Sequence, residues 1–377
     1  ASMEDSMLVG DYLVVSKMSY GPKVPETPLS LPFVHNAIPG THLRSSYLDW
    51  VTIPYTRLPG FGEVDRYDAV VFNFPNGDTV VVDSYLAGHD YHALLRQRAI
   101  GYAGGDAVAY EQDKRRFDGM ARREWSRTHG IKARPVDKKE HYVKRCVGLP
   151  GEDLAIVNRE LVINGDVVES PPGLQFNYMV KLKRDADLRV IKERFGLTDI
   201  DIQGQAPRGR VFMALREDEA ETLMTQGLVE AVEPYDPTSR RGTLDMYPNT
   251  NRFDFASWDL DNYGPIHLPA AGETIELTPR NLALYKRVIT AYEGHDLVER
   301  DGQIFLDGQP AEQYTFQQGY YWLMGDNRHS SADSRYWGFV PEDHVVGRAA
   351  FTWFSKMNEA QHGESGIRWD RMFKSVR

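Results

Sequence analysis

Short alternating runs, rather than long amphipathic stretches, dominate the hydrophobic pattern of this chain. LVGDYLVVSK at 8–17, RYDAVVFNF at 66–74 and HYVKRCV at 141–147 are rich in Val, Tyr and Phe and predict strands. RELVINGDVVE at 159–169 and GQIFLDGQPAE at 302–312 alternate around Asn-Gly and Asp-Gly, a pattern that predicts tight hairpins. Outside 176–235, helical texture is read at HALLRQRAI (92–100), at YEQDKRRFDGMARREWSRTHG (110–130, ending at Gly130) and at 278–292, where Thr278 is the predicted N-cap and Pro279 the first helical residue. Residues 21–61 read as loop, with several prolines and an apolar patch, LSLPFVHNAIPG, at 29–40. The stretch 176–235 reads strand, helix, strand, strand, helix, strand, the order of a split β-α-β module of the ferredoxin-like kind.

Composition narrows the classes. A 377-residue chain with 41% hydrophobic and 11% aromatic residues is long enough for real cores. A net charge of −10 and a pI near 5.6 argue against a nucleic-acid partner, which would need a basic face. The single cysteine, Cys146, excludes an intramolecular disulfide and a cysteine-built zinc site, and reads as a small buried thiol. His89 and His92 form H-x-x-H without a third ligand at helical spacing, so no metal is assigned, and no cofactor. No run of about 18 apolar residues occurs, so no transmembrane helix or signal peptide is expected within the chain.

Four boxes carry the chemistry: SMEDSMLVGD from Ser2, RYDAVVFNFP from Arg66, YVKRCVGLPGE from Tyr142 and MGDNRHSSADSRYWGFVPEDHVVG from Met324. Their content and order resemble those of the type I signal peptidases, membrane-bound serine proteases that remove signal peptides from exported proteins. The resemblance implies Ser2 as nucleophile and Lys144 as general base. A serine hydroxyl is weak until a base takes its proton, and a lysine serves as base only when burial lowers its pKa from about 10.4. Strand alternation sends Lys144 and Arg145 to opposite faces, one to the site and the other to solvent or a carboxylate. By the same resemblance Ser331 hydrogen-bonds the lysine ammonium, and Asp333 and Arg335 form a buttressing ion pair. Gly325, Asp326, Asn327 and Arg328 make the turn that packs against the lysine. Neutral Lys144 then deprotonates Ser2, an acyl-enzyme forms, and water releases it, with the Ser2 N–H as one oxyanion donor. The departures are Asp5 and Ser6 in the first box, where proline and threonine are usual, and His329 in the last, to which no role is given.

Met3, Met7, Leu13, Val71, Tyr142 and Val143 would line the shallow pockets that accept an Ala-x-Ala cleavage site. The expected fold is a mostly β catalytic core, signal-peptidase-like, with α+β insertions: core at 1–85, 136–157 and 315–355, a helical insertion at 86–135, an α+β region at 158–314 containing the 176–235 insert, and a tail at 356–377. The resemblance places the catalytic domain on the outer side of the bacterial cytoplasmic membrane. It also makes this chain a soluble truncation lacking an N-terminal span, with Ala1 a tag remnant. Implied partners are preprotein signal peptides, a lipid surface (met by the 29–40 loop and by a tail carrying Arg368, Arg371, Lys374 and Arg377) and translocation machinery. The rival readings are a LexA-like self-cleaving protease, which lacks the last box, and a non-catalytic binding scaffold on the same fold.

Overall fold

A computed structural model describes the chain except for residues 1, 4–5, 42–43, 84, 87–88, 172, 184–187, 196, 198–200, 207–208, 242, 301, 358–365 and 377. The fold is mostly β. Its largest sheet is antiparallel, in the order Asp11–Ser16, Val345–Met357, Ala69–Asn73, His141–Gly148, Tyr320–Met324, Val340–Pro341, with Gly366–Ile367 and Lys374–Ser375 added to the long 345–357 strand. The strand runs read at 8–17, 66–74 and 141–147 thus lie side by side through a strand from the far end of the chain. Ala69–Asn73 and His141–Gly148 are neighbours, Val71 opposite Val143 and Val70 opposite Lys144.

Alternation along these strands divides the apolar residues between two faces. Val70, Phe72, Cys146 and Leu323 pack on one side with Trp337 and Val340. Ala69, Val71, Val346 and Ala349 pack on the other, where the segment after Ser2 crosses with Met3 and Met7. Glu152–Val157 joins a second sheet in the order Tyr263–Leu268, Glu152–Val157, Glu160–Ile163, Asp166–Val167. Its Leu154 and Ile156 share one large core with Val147, Trp322 and Met324 of the first sheet, so the two sheets are buried against each other.

Both hairpins form, with Asn164-Gly165 and Asp307-Gly308 at positive φ as two-residue turns of this kind require. Thr278 caps the helix Pro279–Arg287 by accepting from the Asn281 N–H. The helix expected over 110–130 is two helices, Ala107–Gln112 and Lys114–Thr128. The break at Asp113, φ −136°, turns the second back onto Tyr91–Tyr102, where Arg98 forks onto Glu124 at 2.5 and 2.6 Å. The insert comprises Phe176–Leu182, Leu188–Phe195, Ile202–Ala206, Arg210–Leu215, Glu217–Thr225 and Val229–Pro234. Its four strands form one antiparallel sheet in the order 202–206, 210–215, 176–182, 229–234.

Candidate active site

The segment carrying Ser2 is held at both ends of its first turn. Met3 and Met7 are buried, 4% and 5% exposed, and Met7 N–H closes onto the Met3 carbonyl at 2.7 Å. Where the segment enters the edge strand, the Asp11 carboxylate accepts from Leu8 N–H (2.9 Å), Ser355 Oγ (2.6 Å) and Arg371 Nη2 (2.7 Å). Burial works against this charge, yet the Arg371 and Ser355 bonds hold its pKa below the usual range. Gly10, at φ +95°, lets the Lys356 carbonyl come closer than any Cβ would allow.

Lys144 lies in a central strand and is 3% exposed. Its Nζ donates to Ser2 Oγ. Burial pushes its pKa down to about 8, while the Asp333 and Asp326 carboxylates pull the other way. With an ordinary pKa the neutral fraction at pH 7 would be roughly 0.03%; a pKa near 8 raises it to roughly 10%. Its neighbour Arg145 meets a carboxylate rather than water. Nε and Nη2 fork onto Asp326 at 2.7 and 2.6 Å, and Nη1 reaches the Tyr67 carbonyl at 2.7 Å. Ser6 Oγ donates to the same Asp326 at 2.6 Å, so the second serine of the first box braces the site from below.

The loop from Gly325 to Asp333 closes the site. A Cβ on Gly325 would collide with both the Ser331 side chain and the Ser2 carbonyl, so only glycine permits this approach. Asn327 N–H donates to the Ser2 carbonyl at 3.2 Å. Asp333 accepts from Arg335 Nε (2.9 Å) and Nη2 (2.8 Å) and from Gly325 N–H (3.2 Å). Burial opposes the ionised Asp333, but the charge and hydrogen bonds of Arg335, with the charge of Lys144, keep its carboxyl below the ordinary range. Arg328 is buried, its carbonyl accepting from Arg335 Nη2. The Ser331 hydroxyl is buried and reaches no partner at hydrogen-bond geometry among the described residues. In this structure, then, the contact of the Lys144 amine is with Ser2, and the expected Lys144–Ser331 bond is not made.

Five of the six expected pocket residues, Met3, Met7, Leu13, Val71 and Val143, share one apolar cluster beside Ser2. Tyr142 does not join them. It precedes Val143, so alternation turns it to the other face, onto Phe74 (4.6 Å between ring centres) and Trp337 (5.8 Å). The Cys146 thiol is fully buried, which raises its pKa. His92 bonds Asp78 at 3.1 Å, whereas the His89 ring lies on Tyr85. Leu29, Leu31 and Phe33 are exposed as the loop reading expected. The tail differs: Arg371 is turned inward to Asp11 and Arg368 to the Val9 carbonyl (2.5 Å), while Trp369 and Phe373 stand out at 71% and 70% exposed. Lys374 is exposed and Arg377 lies outside the described residues. Among the described residues no helix is long and apolar enough to cross a membrane.

Gln175, Arg371 and His329 are site-supporting residues that sequence reasoning missed. Gln175 brackets the loop, its N–H on the Asp326 carbonyl (3.0 Å) and its carbonyl accepting from Arg328 N–H (2.9 Å). No local pattern signals such a contact. His329 was visible only as a departure from the expected box.

The family described as Signal peptidase, peptidase S26, matches residues 1–219 and 311–354. Signal peptidase I of Haemophilus influenzae is 34% identical over 109 residues, which cover 29% of this chain and 30% of that protein. Signal peptidase I of Buchnera aphidicola from Acyrthosiphon pisum is 44% identical over 114 residues, 30% of this chain and 34% of the relative. The probable signal peptidase I-1 of a Synechocystis strain is 32% identical over 120 residues, 26% of this chain and 61% of the relative. The matched region spans about a third of the length of the first two. A match over well more than half of the chain, to a family whose bacterial type I members stand among its relatives, means that this chain belongs to the signal peptidase family, peptidase S26.

Proposed function

We propose that this protein is a membrane-associated serine endopeptidase that removes signal peptides from exported preproteins, cutting after Ala-x-Ala-like sites through Ser2 and Lys144. The observation that carries the reading is a lysine 3% exposed, with its pKa lowered to about 8, donating to the hydroxyl of a serine beside an apolar cluster. In its neutral form Lys144 accepts the Ser2 proton as Oγ attacks the scissile carbonyl. The signal peptide's new carboxyl end becomes an ester, the leaving amine takes the proton, and Lys144 then activates the water that cleaves the ester. The Ser2 N–H is one donor to the oxyanion. The unpartnered Ser331 hydroxyl beside Gly325 is suited to accept from the ammonium once Lys144 has taken the proton.

The cluster of Met3, Met7, Leu13, Val71 and Val143 would receive the small side chains before the cut. Exposed Leu31, Phe33, Trp369 and Phe373 favour a lipid surface as a partner, on the outer side of the cytoplasmic membrane, with translocation machinery a further partner. For the insert, the strand order 202–206, 210–215, 176–182, 229–234 supports a ferredoxin-like module. For the domains, 1–85, 136–157 and 315–355 as catalytic core is supported by the sheet that draws strands from all three.

The test is cleavage of a preprotein bearing an Ala-x-Ala site, with detergent or lipid present and the cut located by mass spectrometry. Cutting after the last Ala, lost in both Ser2→Ala and Lys144→Ala, is the expected result. Cutting indifferent to both substitutions, or none by the unaltered protein, would move a binding-scaffold role to the front.

A further inference from the structure

We propose that His329 is a positioning residue, the clamp by which the body of the molecule beyond the catalytic sheet fixes the loop that holds Ser2 and Ser331; the inference rests on the peptidase reading of that site. The imidazole is fully buried, its side chain 0% exposed. Asn177 N–H donates to Nδ1 at 3.1 Å, and because a backbone N–H only donates, Nδ1 carries no proton. The proton is therefore on Nε2, which donates to Asp261 Oδ1 at 2.6 Å. Asp261 in turn holds Arg159 Nε at 2.9 Å. The ring also packs edge-on against Phe176 and Tyr235, at 5.5 and 5.6 Å between centres. Burial disfavours the charged imidazole and holds its pKa below the usual value, consistent with this single neutral tautomer.

The location of His329 makes these bonds more than packing. It lies two residues after Asn327, whose N–H holds the Ser2 carbonyl, and two before Ser331. Gln175 brackets Asn327 on either side through the Asp326 carbonyl and the Arg328 N–H. Asn177 comes from the first strand of the insert and Asp261 from the approach to the second sheet. One imidazole thus ties two distant parts of the chain to the peptide that fixes the nucleophile, and it needs both ring nitrogens to do so.

Two readouts test this. The first is amide hydrogen exchange: His329→Ala is expected to accelerate exchange at Asn327 by about tenfold or more while the central sheet amides of Phe72 and Cys146 are unchanged. The second is kinetic: kcat should fall about 10–100-fold with KM within about threefold, because a misplaced nucleophile costs rate more than binding. Asp261→Ala should reproduce both effects and serves alone if His329→Ala does not fold. His329→Gln, whose amide can still reach one partner, should recover part of kcat. Unchanged Asn327 exchange, or kcat unchanged per folded enzyme, overturns the inference. If the unaltered protein cleaves no preprotein, the peptidase reading falls, and the exchange experiment still decides the role of His329.

Discussion

At the scale of single residues the site is built against stability. A lysine whose pKa falls from 10.5 to about 8 costs the folded state about 3 kcal/mol at neutral pH, since each unit is about 1.4 kcal/mol. The penalty is complete below about pH 8, where both folded and unfolded chains carry the charge. It is relieved between about pH 8 and 10.5, where only the unfolded chain stays protonated. Lys144→Met should therefore abolish cleavage yet raise the thermal midpoint at pH 7, and lose the wild type's gain in stability on going from pH 8 to 10. Thermal scans across that range, on both proteins, check it. On the proposed mechanism, in which the neutral amine is the base, kcat/KM should rise with pH through a midpoint near 8, and a flat profile from pH 6 to 9 would contradict this. Arg145 behaves oppositely. Removing it in Arg145→Met leaves the buried Asp326 without its forked guanidinium partner, which should cost about 3–5 kcal/mol in a urea titration.

At the scale of elements, what a local pattern encodes was legible and what depends on distant partners was not. The strands at 11–16, 69–73 and 141–148, the Asn-Gly and Asp-Gly hairpins and the Thr278 cap all follow from period, turn residues and caps within a few positions. The break at Asp113 does not, because it serves a packing of Lys114–Thr128 on Tyr91–Tyr102 that only the folded chain defines. For the same reason the pairing of Glu152–Val157 with Tyr263–Leu268, over a hundred residues away, has no local signal. The site divides similarly. Ser2, Lys144 and the 325–335 loop were readable as motifs, and alternation next to Val143 already turns Tyr142 to the other face, whereas the free hydroxyl of Ser331 depends on backbone placement. Gly325 shows how tightly that placement is drawn. In Gly325→Ala the added Cβ would push the Ser331 side chain and the Ser2 carbonyl apart, and kcat should drop at least about 100-fold by the cost of displacing reacting groups. Single-turnover kinetics on the folded variant would measure the loss.

At the scale of the whole molecule the apolar residues fall into separate cores, and the separation predicts how the protein opens. The insert owns one: Tyr178, Val180, Ile191, Val211, Met213, Leu215 and Leu223 pack together among themselves. The catalytic sheet has two others, one on each face, and the second sheet contributes to a fourth. Among the described residues the insert meets the 325–335 loop at His329, through the Asn177 N–H and through Phe176 and Tyr235 packed edge-on against its ring. A core that shares no buried side chain with its neighbour opens without it, since the energy holding each together is local. Leu223, fully buried, tests this. Leu223→Ala should cost the insert about 2–5 kcal/mol through lost burial and the cavity left behind. Amides of Val180 and Met213 should then exchange faster by sub-global opening, while those of Phe72 and Cys146 keep wild-type protection. Equal acceleration in both sheets would mean that the contact at His329 couples the cores as strongly as packing within each core does, and that the insert is part of the catalytic unit rather than a module docked on it.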